Sequence, residues 1–121
     1  MNKIRRYKND WIVIAGILLV LSSIYGTMIY EQRMRLHEEA LISELRSLRI
    51  AVAAFHIING RNPRDFNELS AAVMKTADNK ERRFLPSNII KRDFMDVFGN
   101  PYVYDPSIGW VRCTTSDYSD W

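Results

Sequence analysis

Few side chains in this sequence are of the types that perform catalysis or bind metals. His37 and His56 are the only histidines, and neither has a cysteine or a second histidine at the spacing of a metal site. The single cysteine, Cys113, has no partner for an internal disulfide and is expected to be a small buried apolar residue. No glycine-rich phosphate loop or nucleophile elbow occurs. The sequence therefore predicts no catalytic or cofactor-binding residues, and no enzyme.

The first structural element that the sequence predicts is an uncharged run, residues 11–30. At a helical rise of about 1.5 Å per residue, roughly twenty residues span the hydrocarbon core of a bilayer, about 30 Å. Trp11 and Tyr30 bound the run, as amphipathic rings do at membrane–water interfaces. The run is longer than the apolar part of a secretory signal, and no Ala-x-Ala site closes it. We therefore expect a retained transmembrane helix in contact with membrane lipid, rather than a cleaved signal.

The charged residues that flank the apolar run predict how the helix is oriented in the membrane. Residues 1–10 form a basic leader with four basic side chains and one acidic side chain, and the positive-inside rule places such a leader in the cytoplasm. The leader accounts for the whole net charge of +3, so residues 31–121 sum to zero and no nucleic-acid partner is predicted. One basic cluster remains at Lys80, Arg82 and Arg83; it is either a solvated loop or a docking surface.

Residues 31–59 are predicted to form an amphipathic stalk helix that continues the membrane span, because the segment contains no proline or glycine. Its apolar stripe, at steps of four and three, consists of Leu41, Leu45, Leu48, Val52 and Phe55. Met34 and Ile58 are expected to extend the stripe. The intervening polar face comprises Glu44, Arg46, Ser47 and Arg49. A helix that packs against the head of its own chain needs only this pattern, whereas a coiled coil with another helix would need apolar positions over more heptads. We therefore expect the stalk helix to pack on its own head.

Residues 60–121 are predicted to form a small head. Asn59 and Gly60 cap the stalk helix, and Pro63 prevents its continuation. Asp65 and Glu68 form a capping box that predicts a short helix to about residue 75. The side chains expected to face inward from this helix are Phe66, Leu69 and Val73. Residues 76–90 are predicted to be a loop.

The end of the chain predicts a β-hairpin. Residues 101–104 and 110–113 are β-prone, and turn-forming residues 105–109 join them. Because a lone hairpin is marginal in water, it must cover the stripe of the stalk helix. Tyr102, Tyr104 and Trp110 would pack the sheet on the helix; an aromatic face for peptide or carbohydrate is the alternative. The expected fold class is α+β, with a long N-terminal helix packed against a small antiparallel sheet.

In this layout the chain resembles the type IV pilin-like proteins, most closely the major pseudopilins of type II secretion systems. Residues 44–55 followed by Asn59-Gly60-Arg-Asn-Pro63 are similar to the family's long-helix end and its exit. Residues 65–69 are similar to the short helix that follows. Asp96-Val-Phe-Gly99-Asn-Pro101-Tyr102 is similar to the segment that enters the family's hairpin. The resemblance covers about residues 11–121.

The resemblance implies a pilin-like structural subunit of a type II secretion or type IV pilus-like assembly, with a pilin-like fold. It would be a single-pass protein of a bacterial inner membrane with a periplasmic head. Its partners would be other pilin-like subunits and the assembly proteins of the secretion or pilus system. Some of these pseudopilins hold a calcium ion near the C-terminus, and by resemblance Asp117 and Asp120 would be its carboxylate ligands here; the alternative is that both carboxylates are only solvated.

The N-terminus departs from the family pattern. The family's basic leader ends in glycine, where a peptidase cuts, and a glutamate follows soon after. Here no glycine precedes the span. Gly16 lies inside the apolar run, and downstream of it stands Leu21 rather than an acid. Asp10 is the only acid near the start of the span. The alternative is therefore a non-polymerising single-pass protein whose periplasmic head binds a ligand or a partner protein.

Overall fold

The computed structural model describes the backbone of residues 2–121 and the side chains of residues 10–121. Its first helix, α1, spans Asn2–Asn59. The chain divides into two compact units, one ending at Leu36 and one covering residues 37–121. The second unit contains the predicted head, residues 60–121, together with the last part of α1, and from here on the whole unit is called the head. In the first unit, every described side chain from Trp11 to Leu36 is exposed. The part of α1 from Asp10 on is long and apolar enough to cross a membrane.

The helix ends where the sequence predicts. The N–H of Gly60 donates to the carbonyl of His56 at 2.8 Å, and Gly60 has φ of +71°. Glycine adopts this left-handed conformation without the steric cost that a Cβ would add. Pro63, which follows within three residues, is fully buried.

After α1 the head contains two short helices and two hairpins. In chain order these elements are α2 (Phe66–Ala71), β1 (Val73–Lys75), β2 (Glu81–Arg83), α3 (Ser87–Lys91), β3 (Tyr102–Asp105) and β4 (Trp110–Cys113), followed by a 3₁₀ turn at Ser116–Tyr118. Strands β1 and β2 pair antiparallel, and β3 and β4 form a second antiparallel pair. An α+β chain with a long N-terminal helix and small antiparallel sheets is therefore confirmed.

The predicted short helix is four residues too long. Asp65 caps α2 as expected, because its Oδ1 accepts from the N–H of Glu68 at 2.7 Å. The Glu68 carboxylate accepts from the N–H of Arg64, at 2.6 Å, rather than from that of Asp65. Beyond Ala71 the backbone turns extended, and Val73 lies exposed in β1 instead of facing inward. Valine is β-branched and favours the strand, where it pairs with Arg83.

The prediction of a loop over residues 76–90 is wrong in two places. Strand β2 returns along β1 after a turn in which Thr76 Oγ1 donates to the carbonyl of Lys80 at 2.9 Å. Asn79 takes a positive φ of 60° in this turn, a conformation that asparagine tolerates better than most residues. The segment then forms α3, whose Ile89 is fully buried.

The stripe of α1 lies at the centre of the head. All five of its predicted residues are buried, and Ala51 joins them. They pack with buried residues from the rest of the head, among them Leu69, Leu85, Ile89, Val111 and Cys113. The expected extension of the stripe to Met34 and Ile58 is wrong, since both side chains are exposed. The core face of α1 therefore covers residues 41–55.

Candidate functional site

A buried carboxylate lies among the apolar residues of α1. The sequence prediction placed Glu44 on a polar face, and that prediction is wrong: only 9% of the residue is exposed. Its carboxylate forms an ion pair with Arg92 and accepts from Tyr102 Oη at 3.1 Å. Burial and the neighbouring Glu44 charge raise the pKa of Tyr102 above its ordinary value. Glu44 is three residues after Leu41, on the same helical face, and this spacing is the signal that could have revealed it.

The hairpin-entry motif has a structural role. Asp96, which is 2% exposed, accepts the N–H groups of Phe98 and Asn100 through Oδ1, both at 2.9 Å. Its Oδ2 accepts from Thr115 Oγ1 at 2.6 Å, and Thr115 also accepts from Asn100 Nδ2 at 2.9 Å. The Gly99 N–H closes the turn on the carbonyl of Asp96. One carboxylate thus ties the loop before β3 to the segment after β4.

The Asn62 side chain joins the end of α1 to the tip of the second hairpin through contacts with His56 and Pro106, which together we call the latch. His56 Nδ1 and Asn62 Oδ1 are 2.8 Å apart, and Asn62 Nδ2 donates to the carbonyl of Pro106 at 3.0 Å. A Cβ at Gly109 would lie 2.8 Å from Asn62 Oδ1. The latch holds the hairpin tip beside the last turns of the helix.

The C-terminal segment lies along α1. Tyr118 Oη donates to Glu38 at 2.5 Å, and the hydrogen bond to Glu38 raises the pKa of Tyr118 to about 12. The Cys113 thiol donates to the carbonyl of Tyr118 at 2.9 Å, and burial raises the pKa of the thiol. These contacts hold residues 113–118 against the helix.

A groove about 740 Å³ in volume lies between α1 and the second hairpin, and we call it the head groove. Its largest exposed apolar side chains are Ile50, Ile57, Ile108, Trp110 and Trp121. Arg49 holds one wall: its guanidinium carbon lies 3.9 Å from the centre of the Trp110 ring, and its Nε donates to the carbonyl of Val111 at 2.9 Å. Burial lowers the pKa of Arg49.

The sequence does not predict the groove, because the aromatic residues of the second hairpin, Trp110 among them, are expected to pack the sheet on the helix. The two tyrosines do pack inward: Tyr102 is buried and Tyr104 is half-buried. Trp110, by contrast, is 47% exposed. It occupies a strand position that alternates with the buried residues Val111 and Cys113.

The other candidate residues are dispersed. Asp117 and Asp120 are both exposed, and the described residues contain no cluster of three or more metal-ligating side chains. The calcium site therefore stays a prediction. His37 packs edge-on against Phe98, 5.7 Å between ring centres, far along α1 from His56. In the basic cluster, Lys80 lies in the turn and Arg82 and Arg83 lie in β2, all exposed.

Comparison of the chain with protein-family models, with curated proteins and with solved structures finds no match.

Proposed function

We propose that this protein is a pilin-like structural subunit of a secretion or pilus-type assembly, with its head in the periplasm of a bacterium. The observation that carries the proposal is the composition of α1. Between Trp11 and Tyr30 the helix carries only uncharged side chains, all exposed, and between Leu41 and Phe55 it supplies the centre of the head core. A subunit that assembles through its helix needs both properties in one element.

The head supports the same proposal. The three motifs that carry the family resemblance are a helix exit at Gly60, a capped helix at Asp65 and a loop fixed by Asp96. Each has a structural role, and none of them contributes a reactive group. In the apolar part of α1, Gly16 leaves a notch between Val13, Ile17 and Val20. Such notches let helices approach closely in lipid.

The basic leader gives the proposed orientation, with the N-terminus in the cytoplasm and a single span in the inner membrane. Other pilin-like subunits and the assembly proteins of the system are then the expected partners. Calcium at Asp117 and Asp120 is proposed only as a consequence of the family resemblance.

One observation favours a second candidate. The head groove is of a volume and composition that suit a ligand, with apolar walls and a few polar groups. A non-polymerising, membrane-anchored protein whose head binds a ligand or a partner protein would explain it. The two candidates differ in whether copies of α1 contact each other in the membrane.

Photo-cross-linking separates them. A benzoylphenylalanine introduced at Leu19, which is 71% exposed, should give a ladder of cross-linked species at multiples of the subunit mass. The same probe at Asn79, in the β1–β2 turn, is the control for non-specific capture. Monomer alone from Leu19, in membranes where the full chain is inserted, would contradict assembly through the helix and favour the second candidate.

The mass of the purified protein tests processing of the leader. A shortened chain would show that a peptidase acts on it despite the absence of the usual glycine. An intact Met1 would show a permanent leader. Cross-linking at Leu19 is informative in either case, because residue 19 is within the span.

A further inference from the structure

An exposed row of side chains runs along α1 beside the head groove. Arg46, Ile50, Ala53 and Ile57 recur at steps of four, three and four, which places them on one helical face, and all four line the groove. All four are exposed, Ile57 by 81%, and none belongs to the core of the head. We call these residues the exposed row. The row is apolar except at its first residue, Arg46.

The hairpin wall of the groove is also apolar. It carries Ile108, which is 70% exposed, and the half-exposed ring of Trp110. Arg49 lies in the groove but is already engaged, because its Nε donates to the carbonyl of Val111 and its Nη2 donates to the carbonyl of Trp121 at 2.5 Å. Contiguous exposed apolar side chains with polar neighbours are typical of interaction sites. The two walls therefore form a site for an apolar group.

Arg46 is the charged group of the groove that a ligand can reach. Its side chain is exposed and forms no ion pair within the part of the chain that the structure describes. One turn away in either direction along α1, positions 42, 43, 49 and 50 carry no carboxylate. An anionic group in the groove therefore meets an unpaired guanidinium.

Two carboxylates lie near the groove without lining it. Asp105 is opposite Trp110 across the second hairpin, and its Oδ1 accepts from both the N–H and the hydroxyl of Ser107. Asp120 directly precedes the last lining residue and is exposed. Neither carboxylate forms an ion pair among the described side chains. The guanidinium of Arg46 is therefore left for an anionic group of a ligand.

The hydrogen-bonding groups of the lining suit an acyl chain better than a polypeptide. The Asn62 amide is already engaged, because its Nδ2 donates to the carbonyl of Pro106 and its Oδ1 is 2.8 Å from His56 Nδ1. No carboxylate side chain is among the described lining residues. A peptide would bring a backbone N–H at almost every residue and find few side-chain acceptors, whereas an acyl chain brings no polar group along its length.

The length of the exposed row matches one acyl chain. From Arg46 to Ile57 the rise of α1 is about 16 Å, at roughly 1.5 Å per residue. Two acyl chains end to end fill the roughly 30 Å hydrocarbon core of a bilayer, so one chain extends over about 15 Å. We propose that the head groove binds one long-chain fatty carboxylate, with its carboxylate at Arg46 and its acyl chain along the rest of the exposed row.

The inference rests on the second candidate function and names the ligand of the head. A carboxylate accepts two parallel hydrogen bonds from a guanidinium, which fixes the head group of the ligand at one end of the row. Lipids with a zwitterionic head group fit less well, because their ammonium group would find no carboxylate in the described lining. The source of the fatty acid is the membrane, in which the apolar part of α1 would hold the protein.

Photoaffinity labelling of the full chain in bacterial membranes tests the site. The probe is palmitate with a diazirine at the methyl end of its chain, and labelled residues are mapped by mass spectrometry. We expect label at Ile57 and Ile108, beside the apolar end of the row, and not at Arg46. The span, residues 11–30, is labelled from the bilayer, so the measured quantity is the ratio of head label to span label. Excess palmitate should lower this ratio, whereas hexadecanol, which has the same chain without a charge, should not.

Arg46→Gln tests the role of the charge. This variant should lower the ratio of head label to span label about tenfold, because the charge-assisted hydrogen bonds to the carboxylate are lost. Arg82→Gln, at an exposed arginine of β2 that does not line the groove, is the matched control and should leave the ratio unchanged. Both residues are exposed, so neither change should alter folding, and near-UV circular dichroism of each variant checks this.

Three results would overturn the inference: label in the span with none in the head, competition by hexadecanol equal to that by palmitate, or equal head label in Arg46→Gln and Arg82→Gln. A benzoylphenylalanine at Ile57 shows what covers the groove in those cases. Capture of a protein by that probe would overturn the lipid assignment and leave the second candidate function standing. The Leu19 ladder tests assembly through α1 independently, because residue 19 lies outside the groove.

Discussion

Replacing Asp96 by alanine should destabilise the head by about 3 kcal/mol. The substitution leaves the N–H groups of Phe98 and Asn100 and the hydroxyl of Thr115 without their acceptor. An unsatisfied buried group costs about 1–3 kcal/mol, and relief from burying a carboxylate offsets part of the sum. For a unit of 60–100 residues, 1 kcal/mol corresponds to about 4–8 °C in Tm, so we expect a fall of roughly 12–24 °C.

The assay is thermal unfolding of the full chain in detergent micelles, followed by near-UV circular dichroism. This signal reports the aromatic packing of the head, whereas the far-UV signal would be dominated by α1. Asp96→Asn is the matched variant. It keeps an oxygen for the two backbone N–H groups and loses only the acceptor for Thr115, so it should cost about 1 kcal/mol.

Two results would refute the reasoning. In the first, Asp96→Ala unfolds within about 4 °C of the parent, which corresponds to less than 1 kcal/mol. In the second, Asp96→Asn costs as much as the alanine variant, and the backbone contacts would then contribute nothing measurable.

Three further predictions concern single positions. In urea unfolding, Leu48→Ala should lower the free energy of unfolding by about 2–5 kcal/mol because it leaves a cavity in the core. The control Ile50→Ala, at a 61% exposed position of the same helix, should change it by less than about 0.5 kcal/mol, and equal effects would contradict the assigned core face of α1. Gly109→Ala should lower the Tm more than Gly60→Ala does, because both sites have positive φ but only at Gly109 would the new Cβ meet a side chain, that of Asn62. Similar losses of Tm in the two variants would argue against the latch. Arg61 forms an ion pair with the Glu68 carboxylate, and its hydrogen bond lowers the pKa of Glu68 to about 2, so the stabilisation by this pair is complete above the ordinary pKa of 4.5 and is lost as pH falls toward 2. Over that range the Tm of Glu68→Gln should fall less than that of the parent, and parallel curves of Tm against pH would contradict the pairing of Arg61 with Glu68.

The stripe of α1 could be predicted because it depends on local periodicity alone. Leu41 to Phe55 recur at helical spacing, and a helix with one apolar face must bury it. The end of α1 was also predictable, since Gly60 and Pro63 act through their own backbone chemistry. The second hairpin followed from two β-prone runs around a turn.

The first hairpin was harder to predict because its strands have only three residues each and no apolar alternation. Glu81, Arg82 and Arg83 are all exposed, so burial provides no signal in β2. Residues 76–80 include turn-forming types, but these indicate only that the chain reverses direction and not that paired strands flank the turn. Pairing of β1 with β2 comes from the packing around it, which local propensity does not encode.

The head groove could not be predicted, because it is formed by residues far apart in sequence. Ile57 and Ile108 come together only when the hairpin tip is latched to α1 through Asn62. Glu44 is a different case. Its position on the stripe was visible, but glutamate is rarely buried unless paired, and its partner Arg92 lies 48 residues away.

The side of the membrane on which the head lies is the central claim, and cysteine labelling tests it most directly. Asn79→Cys, exposed in the β1–β2 turn, is made in a Cys113→Ala background and treated with a membrane-impermeant maleimide in intact spheroplasts. The proposed topology predicts full labelling without permeabilisation. Labelling that appears only after the membrane is opened would place the head in the cytoplasm and contradict the proposed function.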